Sequence, residues 1–234
     1  MAVILVVLTI GVSILVEYML ERRRERELSR VGESLQLALQ EVVPQAVAGI
    51  RLPAPLYYHQ GHAWVHWVSP DQAFVGLDDF GRRLLGKKAR VELPAVGTNL
   101  RQGEDSVAVH RNSDEVRLLA PITGEVVGVN PEVKRNPELV HEDSYARGWL
   151  YKVRSPELFR ELPNLLRGSL AVRWMEDTFA RFQHCMMLAN GSVIQDGGEP
   201  VEDVAEHLDH DQWCRLVEEF MLSQPRHGNG PEGR

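Results

Sequence analysis

Val107-Ala108-Val109-His110-Arg111-Asn112-Ser113-Asp114-Glu115-Val116-Arg117-Leu118-Leu119 is the stretch on which the fold turns. Its two ends are apolar and strand-like, and a polar run separates them, which is the pattern of a projecting β-hairpin. The same rhythm continues outward. Residues 64–68 and 73–77 make a second predicted hairpin about Ser69-Pro70-Asp71. Asp78 is placed to cap a short helix that runs to Leu85 and stops at Gly86. Further strands are predicted at 89–93, 125–129 and 150–153. Short strands at such regular spacing between Tyr57 and Val153 predict a small β barrel or sandwich.

Either side of this core the pattern changes. Residues 1–20, MAVILVVLTIGVSILVEYML, form a nearly unbroken apolar run with Glu17 its only charge, and about 20 such residues suffice to cross a bilayer. Arg22, Arg23, Arg24, Arg26 and Arg30 follow them, so the expected arrangement is a single transmembrane helix with its amino end outside and the rest cytoplasmic. A helical stalk and linker is expected over 21–55, with Leu28, Val31, Leu35, Leu39 and Val42 on one face. After residue 155 a helical extension is expected to 223, including helices at 170–188, 201–208 and 213–222, the last capped by an aspartate of Asp209-His210-Asp211. Residues 224–234, rich in Gly and Pro, are expected to be disordered.

The 234 residues carry 26 basic and 33 acidic side chains, a formal charge of −7. No basic footprint for nucleic acid is present. Two cysteines, Cys185 and Cys214, are too few for a disulfide framework and read as free thiols.

The middle of the chain, residues 56–154, closely resembles the H-protein of the glycine cleavage system, a lipoyl carrier. The resemblance rests on Tyr58, His62, Trp64 and Val65, on Leu85-Gly86 with Val91-Glu92-Leu93-Pro94-Ala95-Val96-Gly97-Thr98, and on Ala120-Pro121-Ile122-Thr123-Gly124-Glu125-Val126-Val127-Gly128-Val129-Asn130. It continues through Asn136-Pro137-Glu138-Leu139-Val140, Glu142-Asp143, Gly148-Trp149-Leu150 and Lys152. It implies a barrel-sandwich hybrid of two sheets, mainly β, flanked here by the helical additions. In the family the hairpin reads Glu-Ser-Val-Lys-Ala, and its lysine is joined to lipoate as an amide. Counting from Pro94 or Pro121 sets Ser113 at the lysine position and His110 at the glutamate position. This hairpin reads His110-Arg111-Asn112-Ser113-Asp114, and no lysine occurs between Lys88 and Lys134. Ser113 cannot form that amide, so no lipoate and no other cofactor is expected.

Other chemistry has weaker claims. His184, Cys185, His207, His210 and Cys214 are metal-ligand types, but their spacing is not finger-like, and His207 and Cys214 fall on opposite sides of a helix break; no metal site is read. Cys185 and Cys214 read as small core residues. Asp114 and Glu115 are adjacent on a strand and face opposite sides, so a solvated turn accounts for them better than acid-base work. His62 and Trp64 read as core. There is no nucleophile elbow and no phosphate loop, hence no catalytic residue.

The expectation is a membrane-anchored, non-lipoylated H-protein-like module of the inner membrane that binds an unknown protein partner and touches lipid through 1–20. Its acidic extension, with Glu199, Glu202, Asp203, Glu206, Asp209, Asp211, Glu218 and Glu219, is a candidate docking surface. The alternatives are a carrier or regulator that meets the glycine cleavage enzymes, and a membrane scaffold that self-associates through 21–48.

Overall fold

The structure, a computed structural model, describes residue 7, residues 10–20, the positions 22, 23, 26, 28 and 35, and then residues 45–190 and 204–227. Its centre is a pair of sheets. One has six strands in the order β3 (Tyr57–Tyr58), β4 (Ala63–Ser69), β5 (Gln72–Leu77), β11 (Tyr151–Arg154), β10 (Gly124–Val129) and β7 (Asn99–Leu100). The other has four, in the order β12 (Arg226–His227), β9 (Asp114–Leu119), β8 (Asp105–Arg111) and β6 (Arg90–Glu92). A separate ribbon, β1 (Gln45–Val47) with β2 (Ile50–Leu52), precedes them. The predicted β domain and both predicted hairpins are therefore present.

Alternation explains how the sheets close on each other. Along β9, Asp114, Val116 and Leu118 are buried, while Glu115, Arg117 and Leu119 between them are half-buried. That is the period of two expected when one face is covered. Across the hairpin, Val109 pairs with Val116 and Val107 with Leu118, and all four are buried in the core. In the larger sheet Trp64 pairs with Gly76, where a β-carbon would come within 2.3 Å of the indole. Glycine is the residue that leaves room for the ring. The Trp64 indole N–H donates to the carbonyls of Leu77 and Ser144, so the buried polar edge of the ring is satisfied.

The short helix Asp79–Leu85 starts where expected, with the Asp78 carboxylate accepting from the Gly81 N–H at 2.8 Å. It stops at Gly86, which has φ 83°. A β-carbon on Gly86 would sit 2.7 Å from that of Ala205, which shows how closely the carboxyl-terminal extension approaches the barrel. That extension consists of the helix Ser169–Asn190, a 3-10 turn at Val204–His207 and the helix His210–Met221. Phe80, Phe182 and Phe220, one from each of three helices, meet edge-to-face with centroids 5.5–6.0 Å apart. Such aromatic contacts join the added helices to the barrel through a shared apolar core.

Several expectations are corrected. No helix among the described residues is long and apolar enough to cross a membrane. Residues 10–20 are helical, as are positions 7, 22, 23, 26, 28 and 35. Residues 1–6, 8 and 9 lie outside the described residues. The transmembrane helix at 1–20, the single-pass topology and the inner-membrane placement are overturned by this finding. Residues 45–47, expected at the end of the stalk helix, form strand β1 because they turn at Ala48-Gly49 and pair with β2. Leu28 and Leu35 of the expected stalk pack on the barrel: Leu28 against Gly128, Leu35 within the core. The helix expected at 201–208 is a 3-10 turn, and its first three residues lie outside the described set. Arg226–His227 of the tail pair with β9, whereas 228–234 lie outside the described residues.

Candidate functional site

Arg111 and Asp114 close the β8–β9 hairpin as directly paired residues, leaving Asn112 and Ser113 as its two-residue turn. Asn112 has φ 54°, the left-handed region that a tight two-residue turn demands and that asparagine tolerates better than most side chains. Ser113 is exposed at the tip. The resemblance leads to that residue, and the hairpin presents its hydroxyl to solvent.

The two faces of the hairpin differ. On the outer face His110 reaches Glu92 of β6 at 3.0 Å and lies 4.0 Å from Glu115, which in turn accepts from Arg117. These are exposed, salt-screened pairs that contribute little each. The inner face carries Arg111 and Asp114, and it is covered. The Arg111 guanidinium stacks on the Trp213 ring with 4.6 Å to its centroid and donates to the carbonyl of Ala205. Trp213 is fully buried, and its indole N–H donates to the Leu84 carbonyl at 2.9 Å. Trp213 therefore links the hairpin to the helix Asp79–Leu85. Burial lowers the Arg111 pKa, and Asp114, Cys214 and Glu206 act in the opposite direction.

Asp114 is not a solvated turn residue. Its side chain is 2% exposed, with one carboxylate oxygen 3.2 Å from His210 Nδ1 at the start of the helix His210–Met221. Cys214, one helical turn on, holds its sulfur 3.8 Å from His210 Nε2 and 4.0 Å from Nδ1. Asp114, His210 and Cys214 bring their ligand-type atoms within 4.8 Å of one another. The Cys214 thiol is pushed up by burial and then by the Asp114 and Asp211 carboxylates, while Arg111 pulls it down. The sequence reading missed this cluster because it sought partners for His210 and Cys214 within the extension; the third member comes from β9. The remaining signal was legible: His210 and Cys214 are four residues apart on a helix and so share a face.

The extension holds the hairpin at further points. The Arg117 backbone N–H donates to Ser223 Oγ at 3.1 Å, and β12 adds to β9 with Arg226 opposite Glu115 and His227 opposite Asp114. Lys88 pairs with Glu206 at 3.0 Å. The acidic residues proposed as a docking surface are largely engaged inside the extension. Asp209 caps the helix through a capping box with Gln212, Glu219 lies 3.7 Å from Arg181 and accepts from the Cys185 thiol, and Glu218 accepts from Gln224. Glu199, Glu202 and Asp203 lie outside the described residues. Cys185 and Cys214 are partly buried and pack against the core cluster, and the Cys185 thiol is raised by burial and by Glu219.

His62 and Trp64 are in the core as expected. His62 stacks on Phe80 at 4.5 Å and holds Asp78 at 2.8 Å through Nδ1. A cleft of about 620 Å³ opens elsewhere, lined by Gly49, Arg51, Arg82, Arg83, Lys87, Glu138, His141 and Glu142. Much of its positive charge is spoken for by the buried carboxylate of Asp79, which Arg82 and Arg83 both contact.

Residues 56–178 match the family model described as glycine cleavage H-protein. The chain is 36% identical over 115 residues to the glycine cleavage system H protein of Hydrogenovibrio crunogenus, covering 49% of this chain and 88% of that protein. The same identity and coverage relate it to the H protein of Shewanella halifaxensis. It is 36% identical over 121 residues to a probable glycine cleavage system H protein 2 of Sulfurisphaera tokodaii, with 50% and 80% covered. A crystal structure of the H protein from Mycobacterium marinum is 29% identical and aligns over 50% of this chain and 94% of that one with a TM-score of 0.45. With the β domain, its framework residues and the family match in agreement, this chain belongs to the glycine cleavage H-protein family.

Proposed function

We propose that this chain is an H-protein-like module that does not carry lipoate and that acts by binding another protein through the hairpin end of its barrel. The observation that carries the reading is the hairpin turn itself, Asn112-Ser113, with a hydroxyl where a carrier requires an amine. A serine oxygen is a weak nucleophile without a base to activate it, and a lipoyl ester would be labile. The neighbouring lysines do not substitute. Lys88 sits beyond the short helix and pairs with Glu206, and Lys134 lies in the helix Pro131–Arg135.

Two further features support binding rather than shuttling. A swinging arm needs free space around its root, whereas the flanks of this turn are packed under Trp213, Ala205 and Ser223. Fixing the hairpin against a helical layer lowers the conformational entropy lost when a partner docks on it. The enzymes of glycine cleavage are the first partners to test, because the chain belongs to the H-protein family.

Intact-mass measurement of the full chain, co-produced with a lipoate ligase and lipoate, is expected to give the unmodified mass; a lipoyl adduct overturns the non-carrier reading. Titration of the unmodified chain with purified aminomethyltransferase and glycine decarboxylase then asks whether it docks without an arm. Saturable binding weakened by a charge reversal at Arg117 supports the role of the hairpin end. Turnover of glycine through the chain would instead make it a carrier.

A further inference from the structure

We propose that Asp114, His210 and Cys214 form a site for one zinc-type divalent cation, which ties the helix His210–Met221 to the hairpin β8–β9. This goes beyond the binding role above and does not depend on it.

The donor set is a carboxylate, an imidazole and a thiol, the mixed hard and soft ligands that zinc accepts and that magnesium or calcium do not favour. The spacing suits a small tetrahedral ion. With bonds of about 2.0 Å to nitrogen or oxygen and about 2.3 Å to sulfur, ligand atoms around zinc lie about 3.3–3.6 Å apart. The Asp114 oxygen and His210 Nδ1 are 3.2 Å apart, and the Cys214 sulfur is 4.0 Å from that same nitrogen. All three lie within 4.8 Å of each other, and a rotation of the Cys214 side chain that carries the sulfur away from Nε2 closes the triangle on Nδ1. His210 and Cys214 are half-exposed, which leaves the fourth position open to water.

Local organisation points the same way. Asp114 is almost wholly buried and fixed by the hairpin register, so the carboxylate is held ready rather than gathered from a loop. His210 and Cys214 share one face of a capped helix. The sulfur lies nearly as far from Nδ1 as from Nε2, which places it beside the ring rather than in line with one nitrogen. That is a poor geometry for a thiol–imidazole nucleophile pair, and an ion held by Nδ1 requires the sulfur to swing away from Nε2. Binding replaces the Cys214 S–H bond by a metal–sulfur bond and releases the proton to solvent. The two anionic ligands then balance the dication.

Cobalt is the probe. The full-length, untagged chain, stripped with chelator and reduced, is titrated with Co²⁺. The expected result is a thiolate-to-cobalt charge-transfer band that saturates at one equivalent and is bleached by one equivalent of Zn²⁺. Cys214→Ser removes the band, Cys185→Ser keeps it, and Asp114→Asn weakens Co²⁺ binding by at least about tenfold, since loss even of outer partners costs that much. A wild-type chain with no such band, or a band that survives Cys214→Ser, overturns the site. A second readout needs no variant. Zn²⁺ should protect Cys214 from alkylation in the unmutated chain, mapped by peptide mass, and equal alkylation with and without Zn²⁺ overturns the proposal.

Discussion

The two long hairpins of the barrel are closed in different ways. At the β4–β5 end, Ser69 Oγ donates to Asp71 within the turn, Ser155 donates its N–H to the Asp71 carbonyl, and Trp67 and Val68 remain 44% exposed. That end is held by its own turn and by the strand beside it. At the β8–β9 end the turn contributes little, and the closure comes from residues far along the chain: Arg111 to Ala205 spans 94 positions and Arg117 to Ser223 spans 106. Equal strand patterns thus lead to one hairpin held by its own turn, the neighbouring strand and Phe159, and another held by a layer from far along the chain. The difference locates the departure of this chain from a simple barrel at the β8–β9 end.

Trp213→Ala should break the comparison most strongly. It removes a fully buried indole that carries both the Arg111 stack and the Leu84 hydrogen bond, and a loss of about 3–5 kcal/mol is expected in denaturant unfolding. Trp67→Ala, at the self-closed hairpin, should change stability by less than about 1 kcal/mol, because half of that ring already faces solvent. Equal losses for the two would show that the extension does not hold the hairpin.

Arg111→Ala comes next, at about 1–2 kcal/mol, from a partly desolvated cation–π contact and a charged hydrogen bond. Arg111→Lys should recover little of it, since a lysine lacks the flat guanidinium that stacks. Asp209→Ala removes the capping box and should cost about 1 kcal/mol, seen also as faster amide exchange in the first turn of the helix His210–Met221.

Acid should act through β3 and β4. Burial lowers the pKa of His66 in β4, and burial together with His62 lowers that of His59 beside β3. Above the ordinary value of 6.5 both the folded and unfolded forms are neutral, and these groups do not affect stability. As pH falls below 6.5 the unfolded chain takes up protons first, so stability declines until the folded pKa values are passed. His59→Gln should flatten that decline in urea midpoints measured from pH 7 to 5. The smallest effect belongs to Ser113→Lys: within about 0.5 kcal/mol of wild type, as for an exposed turn residue, and without lipoylation, because His110 and Arg111 also differ from the family's hairpin.

The barrel was legible because its signals are local. Alternation at 116–119, the aspartate before 79–85 and the glycine after it each act within a few residues, and the structure returns each of them. The cover over the hairpin was not legible, since nothing within 105–119 announces that Trp213 will lie under Arg111. Asp114 illustrates the reason. A carboxylate beside a turn normally faces water, and its burial here is made tolerable by partners such as the histidine brought from position 210. Strand β12 was missed because two residues carry no period to read. The apolar run at the amino end misled in the opposite direction: hydropathy reports preference for a nonpolar surrounding, whereas no helix among the described residues is long and apolar enough to cross a membrane.

Strand β12 has a consequence for how the chain is made. During synthesis β8 and β9 leave the ribosome well before residues 226–227, so β9 presents an unpaired outer edge for as long as the last part of the chain is still being added. Open strand edges recruit other strands, including those of neighbouring nascent copies. Truncated products ending before 226 should therefore be more prone to aggregate than the finished chain, even where their barrels have formed.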